Sequence, residues 1–221
     1  MMRALVIGAS GGIGSAVCAA LSARGCEVVG LSRSADGLDV TDEASVAAVL
    51  GRVGGVFDLV FVATGGLEVA GFRPEKSVKA LDAGALAAQF ALNAIGPALV
   101  LKHVWRLIPR DRVARVAVLS ARVGSIGDNR LGGWHGYRAA KAALNQIVRT
   151  CAVELARTHP MAALVALHPG TVATPLTAAY AGGHPVVTPE AAAERLLAVI
   201  EGLGAEQSGL FFDWKGERVE W

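Results

Sequence analysis

A chain of 221 residues fits one α/β domain, and 53% hydrophobic residues supply the core that a disordered chain lacks. A net charge of +2 with no Lys/Arg block argues against nucleic acid and against a membrane surface as partners. Cys18, Cys26 and Cys151 are scattered and free of C-x-x-C spacing, so they read as reduced thiols in a cytoplasm and not as a disulfide framework.

The opening apolar run, Leu5-Val6-Ile7, is too short for a signal peptide or a membrane span and predicts a strand over 3–8. Gly8-Ala9-Ser10-Gly11-Gly12-Ile13-Gly14 follows it directly and leads into a helix over 12–24. Glycine at 8 permits a tight turn, Gly12 lets backbone approach a pyrophosphate, and Gly14 lets helix pack on strand. The free N–H groups of the helix start then suit a phosphate. The next strand, 27–31, ends in Ser32-Arg33 where an acid would bind the ribose of NAD. A hydroxyl beside a guanidinium suits a 2′-phosphate instead, so NADP(H) is favoured over NAD(H).

Thr41 or Asp42 caps a helix over 42–52, and Leu59-Val60-Phe61-Val62-Ala63 lies in a strand over 57–63. A long helical stretch, 82–107, contains Asn93 and Pro97. Proline has no N–H, so the Asn93 carbonyl loses its helical partner and a bend is expected there. A strand over 113–120 precedes a helix over 135–158 that carries Tyr137 and Lys141 four residues apart, on one face. A phenol titrates near pH 10, and a neighbouring ammonium favours its ionised form, which makes the pair a candidate acid/base couple. After a strand over 161–168, the loop 175–188 has no periodicity and is a candidate substrate lid. Thr188-Pro189-Glu190 opens a helix over 189–202, and a strand over 208–213 ends the series.

Strands alternating with helices predict an α/β fold, a Rossmann-type doubly wound, mainly parallel sheet of six to seven strands flanked by helices, in a single domain spanning 1–221. No two of the five histidines stand at metal-ligand spacing, so no metal is expected. Trp134 and His135 either line a substrate mouth or pack, and Trp221 covers a subunit interface or the core edge.

The glycine turn, Asn93, the Tyr137–Lys141 pair and His168-Pro169-Gly170-Thr171-Val172-Ala173-Thr174 together resemble the short-chain dehydrogenase/reductase family over nearly the whole chain. Leu119-Ser120-Ala121-Arg122-Val123-Gly124-Ser125 and Phe211-Phe212-Asp213-Trp214 resemble its compact carbonyl-reductase-like members, which include the bacterial C-factor group. The resemblance implies a nucleotide site built from Gly8, Ser10, Gly12, Ile13 and Gly14, with Ser32 and Arg33 at the ribose and Asp39-Val40 beside the adenine. It also implies that Ala63, Thr64 and Gly65 stand where the family has Asn-Asn-Ala-Gly, making contact mainly through backbone. Pro169, Gly170, Val172 and Thr174 match the segment flanking the nicotinamide. Asn93 matches the support of a proton-relay water, Tyr137 the acid/base, and Lys141 the residue that holds the ribose and lowers the phenol's pKa. A small carbonyl or alcohol substrate and a homodimer or homotetramer, paired through the helices at 82–107 and 135–158, are the implied partners.

Two departures stand out. The family's carbonyl-binding serine falls on Ala121, so Ser120 is expected to replace it in preference to Ser125. Only Ser34 to Leu38 separate the second strand's end from Asp39, too few for a crossover helix, so the family's third strand is expected to be short or irregular and the adenine side open. The altered serine keeps a second reading alive, a nucleotide-binding regulatory protein with little turnover.

Overall fold

A computed structural model of the chain describes residues 1–174, 177, 180 and 186–221. Most of the expected lid, 175–188, lies outside the described residues. Six strands form one sheet in the order β2-β1-β3-β4-β5-β6. They are β1 (Arg3–Ile7), β2 (Glu27–Leu31), β3 (Leu59–Val62), β4 (Ala114–Leu119), β5 (Ala162–His168) and β6 (Phe211–Asp213), and every pairing is parallel. Both faces are covered by helix, which is why the strands read as unbroken apolar runs. Alternation along β1 divides the core. Leu5 and Ile7 join a cluster with Val100, Leu101, Leu144 and Val148, while Ala4 and Val6 join Val17, Leu21, Leu196 and Ile200 on the opposite face.

The helices that close the first face are α3 (Glu43–Gly51), α4 (Ala83–Phe90), α5 (Gly96–Val104) and α6 (His135–Leu155); α1 (Gly12–Ala23) and α7 (Pro189–Glu201) close the second. The cap residues expected from sequence are present, with Asp42 accepting from the Ala44 N–H and Thr188 from the Ala191 N–H. The stretch 83–107 is long and apolar enough to cross a bilayer by length and composition alone. Here it lies on the sheet, with Val100, Leu101, Val104 and Leu107 fully buried.

That stretch is not one regular rod. Ala91–Ile95 forms a π turn in which the Gly96 N–H reaches back to the Ala91 carbonyl. Pro97 follows it inside the first turn of α5. The bend expected from Pro97 is therefore present, and it sits on Asn93.

The family's third strand needs a correction. It is not short or irregular; among the described residues it is missing. Between β2 and α3 the chain makes one helical turn, α2 (Arg33–Asp36), closed by Gly37 at φ 71°, and then bends through Asp39–Thr41. Five intervening residues cannot span a parallel crossover. Consequently β2 is an edge strand, short and charged at its start, where Glu27 pairs with Arg3 at 2.9 Å.

The chain leaves β1 towards β2 on one side and returns to β3 on the other, so the strand order reverses between β1 and β3. A crevice at their carboxyl ends is the expected ligand position for such a sheet. Truncating Leu101, 0% exposed between α5 and the sheet, should lower unfolding free energy by about 2–5 kcal/mol, read from urea denaturation of Leu101→Ala.

Candidate functional site

The crevice at the switch between β1 and β3 is a groove of ≈ 680 Å³. Its floor is the glycine turn. Gly8, at φ 88°, donates its N–H to the Leu31 carbonyl at 2.8 Å, which ties the turn to the end of β2. Gly14 lies so close to Gly8 that a Cβ there would stand 2.1 Å from the Gly8 carbonyl oxygen. Helix α1 begins at Gly12 with no side-chain cap, so its first N–H groups stay free for an anion. Ser10 and Gly11 line the groove, whereas Ile13, in the first turn of α1, is half-buried against the core cluster of the second face.

One end of the groove carries Ser32, Arg33, Ser34, Asp39, Val40 and Thr41. Arg33 is exposed on the rim. The Ser32 hydroxyl caps the turn of α2, accepting from the Ala35 N–H at 3.1 Å. Asp39 accepts from the Thr41 hydroxyl and N–H, and these bonds hold its carboxyl below the usual range. Ala63, Thr64 and Gly65 form the other end, where the Thr64 hydroxyl is buried without a partner. Gly11, Ser34 and Thr41 were not singled out from sequence. Gly11 lines the groove as part of the glycine turn, and Ser34 and Thr41 line it because the short segment after β2 folds along its edge. A dinucleotide fits this arrangement: a glycine cradle, free N–H groups, a guanidinium at one end and an unsatisfied buried hydroxyl at the other.

Gly65 connects the groove to the candidate acid/base side chains. A Cβ there would lie 2.9 Å from Asn93 Oδ1 and 3.4 Å from Lys141 Nζ. Asn93 is fully buried, and its side chain is spent on structure. Its Oδ1 accepts from the Gly66 N–H at 3.0 Å, and its Nδ2 donates to the Gly66 carbonyl and to Gln89 Oε1. Gln89 in turn donates to the Leu67 carbonyl at 2.7 Å. The π turn is thus bolted to the 65–67 turn, and what Asn93 leaves for other partners is its backbone carbonyl.

Tyr137, Lys141 and Asn145 follow one face of α6 at successive turns. Lys141 is 3% exposed; its Nζ donates to the Leu119 carbonyl at 3.0 Å and lies 5.9 Å from the centre of the Tyr137 ring. Burial pushes the amine down to about 7 and pushes the phenol above its ordinary value.

Ser120 has its hydroxyl engaged within the fold. Although it lies just beyond β4, its hydroxyl donates to Asn145 Oδ1 at 2.6 Å, two turns along α6 from Tyr137. Among the described residues no hydrogen bond joins it to the Tyr137 hydroxyl. Ser125 accepts from the Asp128 N–H, and Ala121 contributes no hydroxyl.

Sequence gave no warning of Glu75. This carboxylate is 8% exposed, and its Oε2 accepts from the Gly136 N–H at 3.2 Å while its backbone carbonyl accepts from the Trp134 N–H. Helix α6 has no local side-chain cap, so a residue 61 positions away supplies one, next to Tyr137. A Cβ at 136 would stand 3.0 Å from Glu75 Oε1, so a larger residue there makes the carboxylate shift by a few tenths of an ångström.

The segment after β5 closes the other side. Gly170, at φ 78°, packs under Trp214, and Val172 bridges to Val187. Thr174 reaches the glycine turn, its Cγ2 filling the space beside Gly12. Burial pushes His168 down to about 4, so the imidazole before Pro169 is neutral. Among the described residues, no three His, Cys, Asp or Glu side chains converge as a metal site.

Comparison with known proteins agrees with this geometry. A family model described as Enoyl-(Acyl carrier protein) reductase matches residues 8–199. The 1-hydroxy-2-glutathionyl-2-methyl-3-butene dehydrogenase of a Rhodococcus species is 34% identical over 236 aligned residues, covering 100% of each chain. The C-signal protein of Myxococcus xanthus is 37% identical over 142 residues, 64% of this chain and 81% of that one. A Burkholderia multivorans structure with bound NADP superposes at TM-score 0.81 with 25% identity, covering 100% of this chain and 99% of that one. An NADPH-bound carbonyl reductase from chicken fatty liver, 22% identical, shares the fold at TM-score 0.83 over 100% of this chain and 94% of its own.

Removing the distant cap should be felt locally. Glu75→Ala is expected to cost about 1–2 kcal/mol in chemical denaturation, whereas Glu75→Gln, which keeps an acceptor, should cost less than half of that.

Proposed function

The chain belongs to the short-chain dehydrogenase/reductase family, an oxidoreductase family, and on that premise we propose that it interconverts a carbonyl and an alcohol with NADP(H). The observation that carries the reading is the convergence at Gly65, a residue lining the nucleotide groove against which both Asn93 and Lys141 come to rest. When bound, the nicotinamide supplies or accepts the hydride.

The chain's own residues handle the proton. Tyr137 donates it from its Oη to the carbonyl oxygen in reduction and accepts it from the hydroxyl in oxidation. Burial alone would keep the phenol protonated, so the catalytic cycle needs the Lys141 ammonium to favour phenolate. Lys141, with one carbonyl partner at Leu119, is charged most readily when an anionic group shares its pocket. Asn93 contributes its backbone carbonyl at the π turn, an acceptor for a proton-relay water.

The preference for NADP(H) rests on Ser32 and Arg33 at the open end of the groove, with Ser34 beside them, and on the NADP-bound structural neighbours. The pairing of α4–α5 and α6 with a second copy, as a homodimer or homotetramer, and a cytoplasmic location consistent with three free cysteines, complete the proposal. A regulatory role with little turnover is the second reading. One observation favours it: the Ser120 hydroxyl is committed to Asn145, and Ala121 has none.

NADPH oxidation against aldehydes, ketones and quinones separates the two. The enzymatic reading expects wild-type turnover, with Tyr137→Phe lowering kcat/KM by about 10²–10⁴-fold while NADPH binding persists. Tight NADPH binding with no turnover on any probe would establish the second reading instead. Arg33→Asp should weaken NADPH about ten- to a hundredfold and leave NADH within a few-fold, as expected for one lost charge-assisted contact; equal losses would remove Arg33 from the site.

Lys141 also predicts a pH dependence of the nucleotide-free protein. Its amine titrates at about 7 in the fold against an ordinary 10.5, so above pH 7 the unfolded chain binds the extra proton and stability rises with pH. Melting temperature should climb from pH 7 to about pH 9, and the climb should be shallower in Lys141→Met.

A further inference from the structure

Gly132, Gly133 and Trp134 occupy the left-handed region in succession, at φ 64°, 66° and 50°. Two glycines enter it freely, but a tryptophan there is strained and persists only where its surroundings hold it. They do: the Trp134 N–H donates to the Glu75 carbonyl, the Trp134 carbonyl accepts from the Arg138 N–H at 2.8 Å, and Arg138 Nε donates to the Gly133 carbonyl. What the strain achieves is the position of the indole. It stands edge-on to Tyr137, with ring centres 6.3 Å apart and planes at 71°.

The same indole meets Tyr180 edge-on, at 5.7 Å and 85°. The Tyr180 hydroxyl donates to Glu68 Oε1 at 2.6 Å, and Glu68 lines the nucleotide groove. The aromatic set therefore borders the groove. All three rings are half-buried, so each keeps some open surface. The polar groups beside them are already engaged: Arg138 gives Nε and Nη1 to the carbonyls of Gly133 and Val123, and Glu68 holds Tyr180 with Arg73 alongside at 3.6 Å. A ring-lined wall next to the phenol, with the Arg138 guanidinium spent on carbonyls and Glu68 on Tyr180, suits a flat uncharged substituent.

We propose that Trp134 and Tyr180 are specificity-determining residues that select carbonyl or alcohol substrates carrying an aryl group on the reacting carbon. The inference rests on the assignment of Tyr137 as the acid/base. Neither ring exchanges a proton with the substrate; they hold the aryl group so that the carbonyl oxygen meets the Tyr137 hydroxyl.

The test compares benzaldehyde and propanal as substrates for the full chain with NADPH. Wild type should prefer benzaldehyde in kcat/KM by at least about tenfold, the range a hydrophobic pocket supplies. Trp134→Gly removes ring and strain together, so it should fold, and it should reduce that preference about tenfold while propanal turnover stays within about threefold. Trp134→Phe should retain most of the preference, and Tyr180→Ala should lose part of it. Equal loss on both aldehydes in Trp134→Gly, or a wild type indifferent to the aryl group, overturns the inference while leaving the oxidoreductase reading in place. A wild type that reduces neither aldehyde nor any other carbonyl probe overturns both.

Discussion

A primary amine shut away from water with one carbonyl for company is costly to maintain, and Lys141 is such a group. The surrounding elements make sense as the means of keeping it there. The sheet brings the end of β4 under α6 so that the Leu119 carbonyl can receive the amine. The turn at 65–67 approaches from the nucleotide side, with no Cβ at Gly65 to obstruct it. Asn93 and Gln89 lock that turn to the π bend, and Glu75 fixes the start of α6 from a distant loop. Loosening any of these would let water reach the amine and relax the phenol beside it.

Much of the fold was legible from local pattern. Unbroken apolar strands, helix caps at Asp42 and Thr188 and the glycine turn all act over a few residues, and each appears within one to three residues of its expected position. The bend at Asn93 was legible for the same reason, because proline's missing N–H is a local fact. The features that were hidden are those set by contacts between distant segments. Glu75 looks like any loop acid until the chain folds it against Gly136. Ser120 has the right residue type at nearly the right place, but the partner that fixes its hydroxyl, Asn145, lies 25 positions away. The missing strand was only half legible: too few residues for a crossover could be counted, whereas the choice between a shrunken strand and none depends on whether a turn such as α2 can close by itself.

The two departures from the family pattern fall on opposite sides of the groove. The altered serine position bears on the proposed chemistry, since a hydroxyl aimed at developing negative charge is one of the stronger contributions an active site makes. Loss of the strand touches only the periphery, where the groove ends against a bend instead of a full βα unit. Tyr137, Lys141 and Asn93 are held by neither feature, which is why the reactive cluster stays assembled in spite of both.

The consequence of that absent outer strand extends to how such a sheet is put together. No other strand, core cluster or reactive residue leans on it, so a sheet wound outward from β1 can shed its last layer as a wall can lose its outer course of brick. The interior registers, fixed pairwise from β1 to β6, are indifferent to the trimming. What remains is close to a minimal frame on which a nucleotide crevice can still be hung, with a three-residue bend at Asp39–Thr41 taking over the boundary that a whole supersecondary unit otherwise provides.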